Sequence, residues 1–180
     1  MFKKTLLATS ILLLASSVQA EGGYIGASIG QTDVDIPTYS DGDSFAFTAG
    51  YRIDKNFAFE ASYIDLGEFD DDVAPVWTIK ADGFNFAAVG IIPINNTFEV
   101  FGKVGMYIWD VSVSEADFGE FDTSDGNDIS FGFGASANLT DQLNLSFEYQ
   151  KFEVNDQDAS NISLGVRLNF YLVIKHNKML

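Results

Sequence analysis

The chain has 180 residues, 47% of them apolar and 14% aromatic, with a formal charge of -16 at pH 7. This apolar and aromatic content excludes an acidic disordered chain, because such chains lack core-forming side chains. Cysteine is absent and the sole histidine, His176, lies among the last five residues, which excludes disulfides, thiolate metal sites and most histidine-dependent catalysis. Seventeen Phe and 16 Gly beside three Pro predict an all-β domain.

The first 20 residues are predicted to be a signal peptide. Lys3 and Lys4 precede the apolar run 6–15, and the small-residue pattern at residues 18–20 marks a cleavage site after Ala20. A membrane-spanning helix is the alternative, but the apolar run is shorter than the ~20 residues that cross a bilayer. We therefore expect Sec-dependent export.

Eight segments with period-2 alternation follow. They lie at residues 23–31, 44–53, 57–65, 83–92, 97–109, 129–139, 142–151 and 161–170. The connections between them alternate between long and short, and the short ones (54–56, 93–96 and 140–141) carry residues that suit turns. The sequence therefore predicts one domain, residues 21–170, folded as an eight-stranded antiparallel up-and-down β-barrel.

In each predicted strand the bulky apolar side chains occupy alternate positions, so that they share one face; we call each set of alternate positions a parity. That parity includes Phe47, Phe86 and Phe133 and carries no charge, whereas the opposite parity holds Gly, Ser and a few polar or charged residues. A soluble carrier barrel would point the bulky parity inward, and a transmembrane barrel would point it outward. Because eight strands enclose space only for tightly fitted side chains, the small parity belongs inside. The pattern favours a transmembrane barrel.

Six runs of sequence resemble the transmembrane domain of outer membrane protein A and its stand-alone relatives. They are Tyr24–Gly30, Gly50–Ile53, Phe59–Gly67, Gly102–Trp109, Phe147–Gln150 and Ser163–Phe170. The resemblance implies a monomeric eight-stranded barrel in a Gram-negative outer membrane. Its partners would be outer-membrane lipids, lipopolysaccharide and, during insertion, the barrel assembly machinery. The resemblance does not imply an enzyme. We expect no cofactor and no nucleic-acid partner.

The last strand resembles the family's assembly signal, which ends in an aromatic residue. The matching positions are Leu164, Val166, Leu168 and Phe170. Only ten residues follow, so we expect no peptidoglycan-binding domain of the kind that larger family members carry. The segment 171–180 loses the alternation and is basic. It is interpreted either as a periplasmic tag or as the result of an altered reading frame or a cloning remnant.

The resemblance also places paired charges in the barrel lumen. The family's inward charges are matched at three positions, but Val89, Ser136 and Ser146 stand where the family carries charges. Two inward arginines add positive charge, so we expect a rewired network. Its predicted members are Arg52, Glu60, Lys103, Glu148 and Arg167. Such a network either stabilises the barrel by mutual pairing or controls the passage of ions.

Catalysis is not expected. Outer-membrane barrel enzymes such as lipid A deacylases, omptin proteases and phospholipases rely on a histidine at the outer rim, where it titrates near neutral pH. Here the only histidine, His176, follows the last predicted strand. A pair of carboxylates is the alternative to a histidine, but the sequence shows no positioned pair.

Twenty of the 26 acidic residues fall in or beside the predicted outer connections, where Lys80 is the only basic residue. Such a field repels nucleic acid and attracts cations. Asp122, Asp125 and Asp128 are candidate calcium ligands, although their spacing does not match an EF-hand; the alternative is a solvated, self-repelling surface. Three functions stay open: an envelope and surface component, an adhesin or receptor acting through acidic outer loops, and a narrow porin-like channel.

Overall fold

The computed structural model describes residues 22–34, 41–70, 77–115, 119–154 and 157–170. The predicted signal peptide and the extension 171–180 lie outside the described residues. Within the described ranges no helix is long and apolar enough to cross a bilayer. The strands are β1 (Gly22–Val34), β2 (Gly42–Arg52), β3 (Phe57–Asp70), β4 (Trp77–Pro93), β5 (Phe98–Glu115), β6 (Gly119–Asn138), β7 (Leu143–Val154) and β8 (Gln157–Phe170).

The eight strands form one closed barrel. Each strand pairs antiparallel with the next in the sequence, and β1 pairs with β8 from Gly23↔Phe170 to Val34↔Ala159. Closure leaves no open strand edge in the barrel wall, which is what a sheet needs to cross a bilayer. The predicted eight-stranded antiparallel barrel is confirmed.

The bulky apolar side chains face away from the barrel axis. Phe47 is 61% exposed and Phe133 is 63% exposed, and Phe86 is partly exposed on the same outer face. These rings do not meet in a dry centre, so the soluble carrier alternative is wrong. The outward parity forms the apolar belt that a transmembrane barrel presents to lipid.

Three short turns connect the strands at one end of the barrel, which we call the inner end. All three have the same hydrogen-bonding pattern. The side-chain oxygens of Asp54, Asn95 and Thr140 each accept hydrogen bonds from the backbone N–H groups two and three residues later, at 2.7–3.2 Å. The residue before each of these donates its N–H to the carbonyl oxygen four positions further on, at 2.9 Å. Short polar side chains that bond to the nearby backbone stabilise turns of this kind.

The outer ends of β3 to β6 extend far beyond their predicted limits. The segments 66–82 and 110–128 were expected to be connections, yet strand covers all of 110–128 except 116–118 and all of 66–82 except 71–76. That expectation was wrong because apolar residues continue to alternate in the outer parts of β4 and β5 and give them a packed face, and the outer part of β6 pairs with β5. Ile79 and Val111, for example, pack against the buried cluster at this end.

A β-bulge between Asp65 and Glu68 bends β3 where it rises out of the apolar belt. Gly67 adopts φ +100°, and its N–H donates to Asp65 Oδ1 at 3.0 Å. Asp65 Oδ2 also lies 3.5 Å from Lys80 Nζ, and its negative charge raises the pKa of Lys80. A side chain at Gly67 would stand 2.6 Å from the carbonyl oxygen of Asp43, so glycine is required here.

We expect Asn95→Ala to lower the free energy of unfolding by about 1 kcal/mol, because it removes two turn hydrogen bonds at a solvent-exposed site. Urea titration of the barrel refolded in detergent measures this difference. Asn96→Ala is the matched control, since Asn96 is the exposed neighbour in the same turn. Equal stability of the two variants would contradict the role assigned to Asn95.

Candidate functional site in the barrel lumen

Glycines on the inner face make room for aromatic rings from neighbouring strands. A Cβ atom at Gly50 would lie 2.1 Å from the ring of Tyr24, and one at Gly134 would lie 2.6 Å from the ring of Phe101. Sequence analysis predicted an inner face of small and polar residues without these inward rings. The glycines of one strand therefore leave the space that large side chains of another strand occupy.

Lys103 is the centre of a buried charge cluster. Its Nζ lies 2.6 Å from Glu60 Oε2 and 2.8 Å from Glu148 Oε2, and the three side chains are only 7%, 1% and 10% exposed. Arg167 approaches Glu60 Oε1 at 3.8 Å. Because β3, β5, β7 and β8 each contribute one of these residues, the cluster ties together strands from around the barrel.

Two aromatic rings complete this cluster. The Tyr24 hydroxyl donates to Glu60 Oε1 at 2.7 Å. The Arg167 guanidinium lies 5.6 Å from the centre of the Tyr24 ring and 5.0 Å from that of Phe101. Cation–π attraction of this kind strengthens when the groups are removed from water. Tyr24 and Phe101 were not predicted as site residues, although both are aromatic residues at inward positions.

Arg52 lies outside this cluster, in contrast to the predicted five-residue network. Its Nη2 lies 2.6 Å from Glu99 Oε2, and the Ser136 hydroxyl donates to Glu99 Oε1 at 3.0 Å. Glu99 was missed by the sequence analysis. Its position between outward Phe98 and Val100 was the signal that would have identified it as inward. The described lumen thus holds a four-residue cluster and a separate ion pair.

Apolar side chains close the lumen on both sides of the charges. We call the outer group the outer plug; it comprises Ile64, Leu66, Phe69, Ala81, Tyr107, Trp109, Phe152 and Ala159. A smaller inner cluster comprises Tyr24, Ala58, Val89, Ile91 and Phe101. The expectation of a small, polar inner face is wrong at these levels. The outer hairpins have no lipid around them, so they bury apolar side chains inward, as soluble proteins do.

Little space remains between the charges. A cavity beside Glu60, Lys103 and Glu148 has a volume of about 20 Å³, room for about one water molecule. Glu148 Oε1 is buried and has no protein partner, which suits such a water. A larger pocket of about 360 Å³ opens at the inner end, beside Arg52 and the turn at Thr140.

The candidate calcium ligands do not converge in the described structure. Asp128 accepts a hydrogen bond from Trp109 Nε1 at 2.7 Å. Asp125 is exposed and lies three positions away on the same strand, so its side chain points to the opposite face. The Asp122 side chain is outside the described part. Among the described residues no three His, Cys, Asp or Glu side chains are grouped to hold a metal ion.

The predicted assembly-signal residues lie together on the outward face of β8. Leu164, Val166, Leu168 and Phe170 are all exposed there. Their role in assembly remains a prediction. Their position leaves them free to contact lipid or another protein while β8 pairs with β1 and β7.

Comparison with known proteins identifies the family. Residues 5–170 match the family described as "Outer membrane protein beta-barrel domain". The chain belongs to this family. A curated relative, the 22 kDa outer membrane protein of Rhizobium leguminosarum bv. viciae, is 29% identical over 147 residues, covering 77% of this chain. The aligned part spans 66% of the relative, just under two thirds of its length.

Solved structures show the same fold at low sequence identity. Neisserial surface protein A aligns with a TM-score of 0.68 and 21% identity, covering 84% of this chain and 99% of that chain. The attachment invasion locus protein Ail of Yersinia pestis gives 0.60 and 15%, covering 83% and 99%. The N-terminal barrel of Pseudomonas aeruginosa OprF gives 0.58 and 11%, covering 84% and 100%. The family supports a location in the outer membrane.

Glu60→Ala should lower the free energy of unfolding by about 3–5 kcal/mol, because it removes a buried carboxylate and leaves Arg167 with one fewer partner. Urea titration of refolded protein in lipid vesicles tests this. The control, Glu68→Ala, removes a carboxylate that is 64% exposed and 3.6 Å from Lys80, so its effect should be small. Similar losses of unfolding free energy in both variants would show that the buried Glu60 stabilises the barrel no more than an exposed carboxylate does.

Gly50→Ala should displace the Tyr24 ring from Glu60 and destabilise the barrel by about 1–3 kcal/mol, because the added carbon has no room. Gly90→Ala is the matched control, since a Cβ there meets nothing within 4 Å. Unfolding titrations and tyrosine fluorescence measure the two effects. An unchanged Gly50→Ala variant would refute this packing.

Proposed function

We propose that this protein is a non-enzymatic structural and surface component of the outer membrane, with a barrel that does not conduct ions. The observation that supports this most directly is the filled lumen. Along the barrel axis the outer plug is followed by the Lys103 cluster, which shares the Tyr24 and Phe101 rings with the inner cluster. The outward apolar belt holds the barrel in lipid while β3 to β6 carry their outer ends above it.

The side chains of the outer plug are buried like those of a protein core. Leu66, Tyr107 and Phe152 are fully buried, and the rings of Tyr107 and Phe152 lie 4.8 Å apart between centres. A hydrated ion would have to displace several of these side chains at once. Close packing of this kind resists such rearrangement because each side chain is held by its neighbours.

The charge cluster supports the structural interpretation over the channel alternative. Lys103 is held by two carboxylates, at 2.6 and 2.8 Å, and Arg167 by Glu60 and two rings. An ion that passed this level would have to break these pairs in a confined, poorly hydrated space. Removing a partner from a buried charge is costly. The cluster therefore serves better as a brace between strands than as a selectivity filter.

The proposed absence of catalysis rests on the same side chains. The carboxylates in the lumen face cations and a tyrosine hydroxyl, and the plug separates them from the outer surface. A general acid or base must reach its substrate. The described lumen offers no such access from outside.

Planar-bilayer recording tests the closed lumen. The wild-type protein should show no discrete conductance steps. The triple variant Phe101→Ala/Tyr107→Ala/Phe152→Ala should show more current, because it removes rings from the outer plug and from the inner cluster, where Phe101 also lies against Lys103 and Arg167. The matched control, Phe131→Ala/Phe133→Ala, removes two outward rings and should stay silent. Gel migration with and without boiling verifies that each barrel is folded. Regular conductance steps from wild type would overturn the proposed closed barrel.

A further inference from the structure

The inner end of the barrel contains an open polar pocket, which we call the inner pocket. Its volume of about 360 Å³ lies within the range of small-molecule binding sites. The start of β1, the ends of β2, β6 and β8, and two of the inner turns form its wall. Backbone hydrogen bonds hold these segments, so the shape of the pocket is set before a ligand arrives. The polar side chains that line it are Arg52, Asn96, Asn138, Thr140, Asp141 and Asn169.

A narrow crevice adjoins the inner pocket on the side of the charge cluster. The two spaces share Tyr24, Arg52 and Asn169, and the crevice also touches Arg167, a member of that cluster. Its volume of about 10 Å³ is room for one water-sized group. A ligand in the inner pocket therefore has one small recess into which a single polar group fits.

Two residues that line the crevice each hold a buried polar atom with no hydrogen-bond partner among the described residues. Arg52 bonds to Glu99 through Nη2, but its Nε–H has no acceptor. Asn144, which is 3% exposed, donates from Nδ2 to Ser136 and Asn138, but its Oδ1 has no donor. Buried polar groups are unfavourable unless they are hydrogen-bonded. The crevice therefore offers one donor and one acceptor to an incoming group.

This donor and acceptor select the chemistry of that group. An oxygen atom that accepts from Arg52 Nε–H and donates to Asn144 Oδ1 satisfies both atoms at once. Water and an alcohol hydroxyl have this property, whereas a carboxylate only accepts and an ammonium group only donates. The amides of Asn96, Asn138 and Asn169 on the pocket wall also combine donors with an acceptor. The lining therefore suits a ligand with several hydroxyl groups.

The charges around the two spaces disfavour an ionic ligand. Arg52 and Glu99 lie 2.6 Å apart and neutralise each other, and Asp141 lies on the pocket rim. An anion in the pocket would face the carboxylates of Glu99 and Asp141, and a cation would face the guanidinium groups of Arg52 and Arg167. Either ion would lose hydration without gaining an unpaired counter-charge at the crevice. An uncharged ligand avoids this cost.

We propose that the inner pocket binds an uncharged, hydroxyl-rich ligand, a sugar, and that one sugar hydroxyl enters the crevice between Arg52 and Asn144. The sugar is either a free molecule or part of a glycan chain, since both present the same groups to the pocket. The proposal goes beyond the structural role given above and does not depend on a closed lumen. Conductance of the barrel would leave it unaffected, and failure of sugar binding would leave the structural role unaffected.

Titration of the full chain, refolded in nanodiscs, with two sugars tests the proposal by NMR. Trehalose represents a free sugar and triacetylchitotriose represents a glycan chain. At least one of them should shift the Arg52 Nε–H signal and the side-chain amide signals of Asn144 and Asn169 saturably. Fully O-methylated trehalose keeps the ring skeleton but has no hydroxyl donor, so it should bind at least about tenfold more weakly than trehalose. Glucuronate and glucosamine, which are charged, should each bind more weakly than glucose.

Three variants connect the binding to the pocket. Arg52→Lys keeps a cation for Glu99 but has no Nε–H, so it should weaken sugar binding at least about tenfold and also identifies the Arg52 signal. Asn169→Leu removes an amide from the wall at similar size and should weaken binding as well. Asn127→Leu, the matched control, makes the same change on the exposed outer part of β6 and should have no effect.

The outcomes separate as follows for barrels whose gel migration with and without boiling shows that they are folded. Tighter binding of triacetylchitotriose would assign the pocket to a glycan chain, and tighter binding of trehalose would assign it to a free sugar; either supports the proposal. Binding of neither sugar, equal binding of the methylated sugar, or unchanged affinity in Arg52→Lys would each overturn it. The first two of these results need no variant.

Discussion

The bilayer cannot hydrogen-bond to a polypeptide backbone, and the rest of this structure depends on that constraint. A strand in the hydrocarbon core must have a neighbour on both sides, which forces the sheet to close from β8 back to β1. Once the sheet is closed, the period-2 geometry of strands divides the side chains into two populations. One faces lipid and must be apolar, and the other shares a narrow interior and must be mutually compatible.

The closed sheet and its orientation were predictable from the sequence because both follow from parity. Every residue contributes to that signal, so no single exception, such as inward Val89, obscures it. The outer limits of the strands were not predictable in the same way. Beyond the apolar belt the outward side chains are no longer required to be apolar. The acids of the segments 66–82 and 110–128 therefore concealed the strands there, of which β3, β4 and β5 pack apolar side chains inward.

The lumen site was only partly predictable, since parity gives the facing of a residue but not its height along the axis. Glu60, Lys103, Glu148 and Arg167 meet because the strand register brings them to one level. Arg52 stands at another level and pairs with Glu99. Register depends on turn lengths, strand tilt and the bulge near Gly67, and a pattern of alternation does not contain these quantities.

The three inner turns share one length and one capping arrangement, and this uniformity determines which changes the opposite end of the barrel tolerates. Each turn fixes the register of its own hairpin from the inner end. A change of loop length at the outer end then leaves the strand register in the barrel wall unchanged, because the inner turns already determine that register. The fold therefore separates an anchoring half, whose turns fix the register, from a half whose loops can take inserted sequence, such as a displayed epitope.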